Sequence, residues 1–156
     1  MRKIFLLFFC CSICFSQEQW RPLGPDDFNQ VSFDYAGSLN GVVDSDGNYY
    51  VIHRDETNNY ELTVRFYNGT EWSQLGDINI SVGLINKAAI AIDNNDIVYI
   101  AFHDFNTYST KISRFVNGNW ESLTSINSYL SNLSIKFNQN NELHILFSDY
   151  NSENLF

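Results

Sequence analysis

The chain has 156 residues, with 18 acidic against 9 basic side chains, three cysteines and 16% aromatic residues. An acid excess with no basic cluster beyond Arg2 and Lys3 argues against nucleic acid or an anionic membrane surface as partner, since both are held through Lys and Arg. Acidity itself names no ligand; it keeps a chain in solution.

The N-terminus reads MRKIFLLFFCCSICFSQ, a basic pair followed by an apolar run that passes through small residues to Ser16. That layout predicts a secretory signal over residues 1–16. The run is shorter than the roughly 20 apolar residues of a spanning helix, and polar Gln17, Glu18 and Gln19 follow it directly, so no membrane insertion is expected after cleavage. Cys10, Cys11 and Cys14 leave with the signal, which removes disulfides, thiol chemistry and Cys-ligated zinc together. Ile13 makes a lipid anchor on Cys14 a poor alternative. The mature chain, from Gln17, carries a net charge of −11.

Beyond the signal, one segment nearly recurs. Asp44, Tyr50, Asp55, Arg65, Phe66, Asn68 and Gly69 return 49 positions later as Asp93, Tyr99, Asp104, Arg114, Phe115, Asn117 and Gly118. After a one-residue deletion, Trp72 and Leu75 are answered by Trp120 and Leu123. These nine identities compare with roughly two expected from ordinary residue frequencies. A further copy begins at Ile135, Asn138, Ile145, Phe147, Asp149 and Asn151, and Trp20 to Gly24 resembles the closing piece Trp72 to Gly76. The expected order is a signal (1–16) and a partial array (17–156): a closing strand (17–28), one unit (29–77), a second (78–125) and an unfinished one (126–156).

Each unit has the period of strands. A short apolar piece (88–92, or 133–137) ends in a cluster of turn residues, which in the first copy reads Asp44-Ser45-Asp46-Gly47-Asn48. The second piece, Ile97 to Phe102, is apolar at nearly every position and too short for a helix, so both of its faces must be covered. After a polar loop comes a mixed piece ending at Asn68-Gly69 or Asn117-Gly118, the strongest short hairpin signal, in which both turn residues take positive φ. A last strand starts at the Trp. Four short antiparallel strands in 45 to 49 residues describe a β-propeller blade, so the expected class is all-β, an incomplete propeller-like array of about two and a half blades. Trp20, Trp72 and Trp120 are expected to pack between neighbouring blades.

The strings VDSDGNYYVIHRDETNNYELTVRFYNGTEWSQLG and IDNNDIVYIAFHDFNTYSTKISRFVNGNWESLT resemble a family of secreted bacterial repeat proteins whose unit reads LAID-x2-G-x-x-Y-VAY-x-D and then V-x-(R/K)-(F/Y)-NG-x-x-W-x-x-LG. The resemblance implies a β-propeller, export that often follows the type IX route, and a separate C-terminal sorting domain in many members. It implies no assigned activity. A closed propeller takes about four to eight blades, so the expectation is a piece of a longer chain, with assembly of several copies into one ring as the competing account.

Asp55, Asp104 and Asp149 all follow the buried second strand, where an Asp accepts hydrogen bonds from the loop beyond it. Recurrence favours that structural role; a cation or a sugar hydroxyl at each is the weaker alternative. Asp44 to Asn48 lacks the distal Glu of a calcium loop and reads as a turn. His53, His103 and His144 fall at three different repeat positions, so no shared metal site is expected. No nucleophile, phosphate-loop or paired-carboxylate motif stands out, and no cofactor is implied. The function expected is a secreted or cell-surface, non-enzymatic binding or adhesion module for a glycan or an extracellular protein. A propeller glycosidase or lyase with its catalytic residues elsewhere is the alternative.

Overall fold

The computed structural model describes residues 23–24, 40–55, 59–76, 80–81, 85–127 and 130–149. The expected signal, Trp20 and most of the expected closing strand lie outside them. Among the described residues ten strands form three antiparallel sheets. The first sheet is a four-stranded meander of β1 (Asn40–Val43), β2 (Tyr49–Asp55), β3 (Glu61–Tyr67) and β4 (Trp72–Gln74). The second repeats that order with β5 (Ile85–Ile92), β6 (Val98–Asp104), β7 (Ser109–Val116) and β8 (Asn119–Ile126), and the third pairs β9 (Leu130–Phe137) with β10 (Leu143–Asp149).

The second sheet is packed on both faces, which explains its nearly continuous apolar strands. Side chains alternate across a strand. Ala88, Ile90, Val98, Ile100 and Phe102 turn toward the first sheet and join Tyr50, Ile52, Leu62 and Val64 in one buried cluster. Their neighbours Ala89, Ala91 and Ala101, with Ile112, face the third sheet and meet Leu133, Ile135, Phe137 and Ile145. Small residues on one side thus accept large ones from the other, and Tyr99 meets Phe137 edge-on with ring centroids 4.8 Å apart.

The first turn of each sheet is built by one side chain. Asp44 Oδ1 accepts from the backbone N–H groups of Asp46 and Asn48 at 3.0 and 2.8 Å. Asp93 Oδ1 does the same for Asn95 and Ile97, and Asn138 Oδ1 for Asn140 and Glu142, each at 2.9 Å. An Asx side chain that closes the turn on its own backbone is what these positions select for, and Asn serves as well as Asp. Each turn also needs one left-handed residue, filled by Gly47 (φ 84°), Asp96 (φ 59°) and Asn141 (φ 62°). Glycine is therefore dispensable there, because Asp and Asn tolerate that region.

The turns also join the sheets. Asp96 accepts from the N–H of Ser45 at 2.9 Å and from its hydroxyl, and Asn141 Oδ1 accepts from the N–H of Asn94 at 2.8 Å. At the outer strands the indole of Trp72 donates to the carbonyl of Leu23 at 2.8 Å, and that of Trp120 to the carbonyl of Leu75 at 3.1 Å. Gly24 and Gly76 lie flat against those indoles: a Cβ on either would stand 2.8 Å from Nε1 of its Trp. Trp72 and Trp120 thus each reach a backbone carbonyl of the preceding element.

Two details differ from the sequence reading. Asn117 and Gly118 both take positive φ, 53° and 81°, and form the two-residue hairpin, but of the first pair only Gly69 does, at 91°. There Asn68 Oδ1 instead accepts from Thr70 and Glu71, widening the turn to four residues. The one-residue deletion between the copies falls here. In addition β4 is short, and the stretch of β3 it leaves uncovered is completed by Ser81, whose hydroxyl accepts from the N–H of Leu62 at 2.9 Å.

Gly118→Ala meets open space and loses only the left-handed preference of glycine, about 1 kcal/mol. Gly76→Ala must also displace Phe115 and Trp120, so its expected loss is about 2–4 kcal/mol. Urea unfolding of the two variants checks this; equal losses would contradict the packing described.

Candidate functional site

The loops after β2 and β6 leave the sheets at the end opposite the linked turns, and so share one rim. Asp104 anchors the second of them. It is 2% exposed, its Oδ1 accepts from the N–H of Asn106 at 2.8 Å, and its Oδ2 takes the Lys111 ammonium at 2.6 Å. Burial pushes its pKa up, but Lys111, the Asn106 amide and the Thr107 hydroxyl together outweigh that and hold the carboxyl below its ordinary value. Asp55 is buried at the corresponding end of β2, and its carbonyl accepts from the N–H of Tyr60 at 2.9 Å. Asp149 ends β10 at the same register. Asp104 is thus committed to its loop, while the three carboxylates stand one per sheet and do not converge.

Both loops end in a strained tyrosine that repeat matching alone did not single out. Tyr60 precedes β3 with φ 60°, and Tyr108 precedes β7 with φ 48°. A bulky residue in the left-handed region costs about 1–2 kcal/mol. Tyr108 is 65% and Tyr60 37% exposed, and the Arg54 guanidinium lies over the Tyr60 ring, 5.3 Å from its centroid. Arg54 also donates to the carbonyl of Ile85 at 3.0 Å, tying this rim of the first sheet to the start of β5.

Between the second and third sheets a cleft of about 190 Å³ opens at the same rim. Leu133 and Phe147, on the face of the third sheet that meets the second, supply its apolar wall, and Lys87 of β5 supplies a polar group opposite them. Asn132 Nδ2 donates to Ser148 Oγ at 3.1 Å, fixing both across the strands.

His53 and His103 are fully buried inside the sheets, and burial lowers both pKa values despite nearby Asp55 and Asp104. Among the described residues no three His, Cys, Asp or Glu side chains gather as a metal site requires. The Asp44 carboxylate is likewise occupied, by the turn amides, the Asn48 side chain and the Tyr50 hydroxyl.

No protein-family model matches the chain, and no curated protein does. Among solved structures similar in fold is a fucose lectin from Kordia zhangzhouensis in complex with methyl-fucoside. It aligns over 74% of this chain and 86% of that one, with a TM-score of 0.52 and 16% identity. The likeness is one of fold.

The lowered pKa values set the pH response. His53 and His103 bind protons more readily when unfolded, so the stability they contribute is complete above their ordinary value of 6.5 and falls as pH drops below it. Asp104 adds a second loss as pH falls below 3.8. Chemical unfolding at pH 7.5 and 5.5 should show lower stability at 5.5. His53→Phe, which installs the side chain that Phe102 provides at the matching place in β6, should flatten that slope; an unchanged slope would contradict it.

Proposed function

We propose that the chain is a secreted or cell-surface glycan-binding module without catalytic activity, in which the three sheets are blades of a β-propeller. The cleft between the second and third sheets carries the functional reading. A pyranose has hydroxyls at its edge and C–H groups on its faces. Lys87 offers a hydrogen-bonding group beside the apolar faces of Leu133 and Phe147, a combination that suits such a ligand. The fold shared with a lectin solved with a methyl-fucoside supports the same class. Face-to-face stacking with β1, β5 and β9 innermost supports the propeller arrangement. The apolar N-terminal run ahead of Gln17 supports export, and the likeness of the repeated strings to secreted bacterial repeat proteins supports the type IX route.

Whole chain applied to a glycan array should be retained on a defined set of sugars and released by the matching free monosaccharide. Retention on none would remove the proposal and leave an extracellular protein as ligand. Release of product from chromogenic glycosides would replace it with the glycosidase alternative. Lys87→Ala should weaken retention about tenfold, from loss of one or two hydrogen bonds worth about 1 kcal/mol each.

A further inference from the structure

We infer that the cleft between the second and third sheets selects a sugar that carries a negative charge, a carboxylate or a sulfate ester on one terminal pyranose, through the ammonium of Lys87. The inference rests on the glycan reading above and names the class of sugar that the cleft takes. Three observations meet at this lysine. It lies half-buried in β5, across the cleft from Leu133 and Phe147. No Asp or Glu lines the cleft, and among the described residues Lys87 makes no ion pair, whereas Lys111 is paired with Asp104 and Arg114 with Glu121. Lys87 also stands at a break in the ladder: Ile85 lies opposite Asp104 and Ala88 opposite Phe102, so β5 carries one residue more than β6 there. A bulge of this kind re-aims a side chain.

The bulge recurs in the third sheet, where Ser148 lies opposite Asn132 and Asp149 opposite Leu130. Asn132 there holds the position that Lys87 holds in β5, and it donates its amide to Ser148 of its own sheet. The bulge is thus a feature of the sheets, and what is particular to the second is the residue it carries, an ammonium that its own sheet does not engage. In a chain with 18 acidic and 9 basic side chains an acid opposite Lys87 would be a ready complement, and holding an ammonium partly out of water without one disfavours the folded state. An anion from outside supplies that charge. A carboxylate or sulfate oxygen adds the attraction of opposite charges to the hydrogen bond that a neutral hydroxyl would make, in a site partly shielded from water. Leu133 and Phe147 meet the C–H face that charged and neutral sugars share. The cleft volume of about 190 Å³ lies below the roughly 300–1,000 Å³ of sites for drug-sized ligands, which limits the fit to one ring. The acid excess of the whole chain repels a polyanion, so the match is a single charged sugar at the end of a glycan and not a densely charged polysaccharide.

The test is calorimetric titration of the whole chain with glucuronic acid, galacturonic acid, their methyl esters, galactose 6-sulfate, glucose and galactose, with a melting curve for every variant. A charged sugar should bind about tenfold or more tightly than its neutral counterpart or methyl ester, and raising the salt concentration should shrink that preference. Preference for the acids identifies a carboxylate as the anion and preference for galactose 6-sulfate an ester sulfate, and either upholds the inference. Lys87→Gln should bring charged and neutral sugars within about threefold of each other, and Lys87→Arg should keep the preference. A preference that survives in Lys87→Gln, or a wild type that binds neutral sugars as tightly as charged ones, would overturn this inference alone and leave a neutral glycan as ligand. A wild type that binds none of these sugars would overturn it together with the glycan reading.

Discussion

The arrangement depends on an indole hydrogen bond made across a glycine. Trp72 and Trp120 each reach past their own sheet to a backbone carbonyl of the preceding element, over a Gly whose left-handed backbone brings that carbonyl into reach. A tryptophan supplies this link well because its large apolar body fills the space between the elements while its single N–H finds an acceptor. The Trp stands at the start of a sheet's last strand, and the Leu-Gly pair that receives the next Trp stands just after it. The first sheet is therefore both plug and socket, giving Trp72 to the element before it and receiving Trp120 from the sheet after it, whereas in the second sheet Leu123 is followed by Thr124. At the inner ends the turns do likewise, through Ser45 on Asp96 and Asn94 on Asn141.

That coupling accounts for which features were legible in the sequence. Asp44, Asp93 and Asn138 could be aligned by eye because one side chain closes the turn in each sheet, and the chemistry leaves few substitutes. The strand Ile97 to Phe102 revealed its two covered faces because both really are core. By contrast, Asn68-Gly69 and Asn117-Gly118 look alike and fold differently, since the extra residue in the first copy lets the Asn68 side chain cap a wider turn. Arg54 and His103 occupy matching places with unlike side chains, and their roles, a bridge to Ile85 and a buried ring beside Thr110, appear only in three dimensions.

The rim was least legible. Tyr60 and Tyr108 lie at different distances from their aspartates, so a fixed offset passes over one or the other, and strain is a property of the backbone rather than of residue identity. The cleft at Leu133 and Phe147 joins two strands of the third sheet with β5 of the second and has no contiguous signature. The Asp104 carboxylate at the end of β6 is spent on its own loop, through the Asn106 amide and the Lys111 ammonium.

Hydrogen exchange of the two indole N–H groups tests the coupling most directly, because each is donated across the junction it is said to hold. The Trp120 Nε1–H should exchange in step with the core amides of Ile100 and Ile112, and the Trp72 Nε1–H should also be slowed well below the rate of free tryptophan. Exchange of the Trp120 indole at the free rate, while those amides remain protected, would contradict the account.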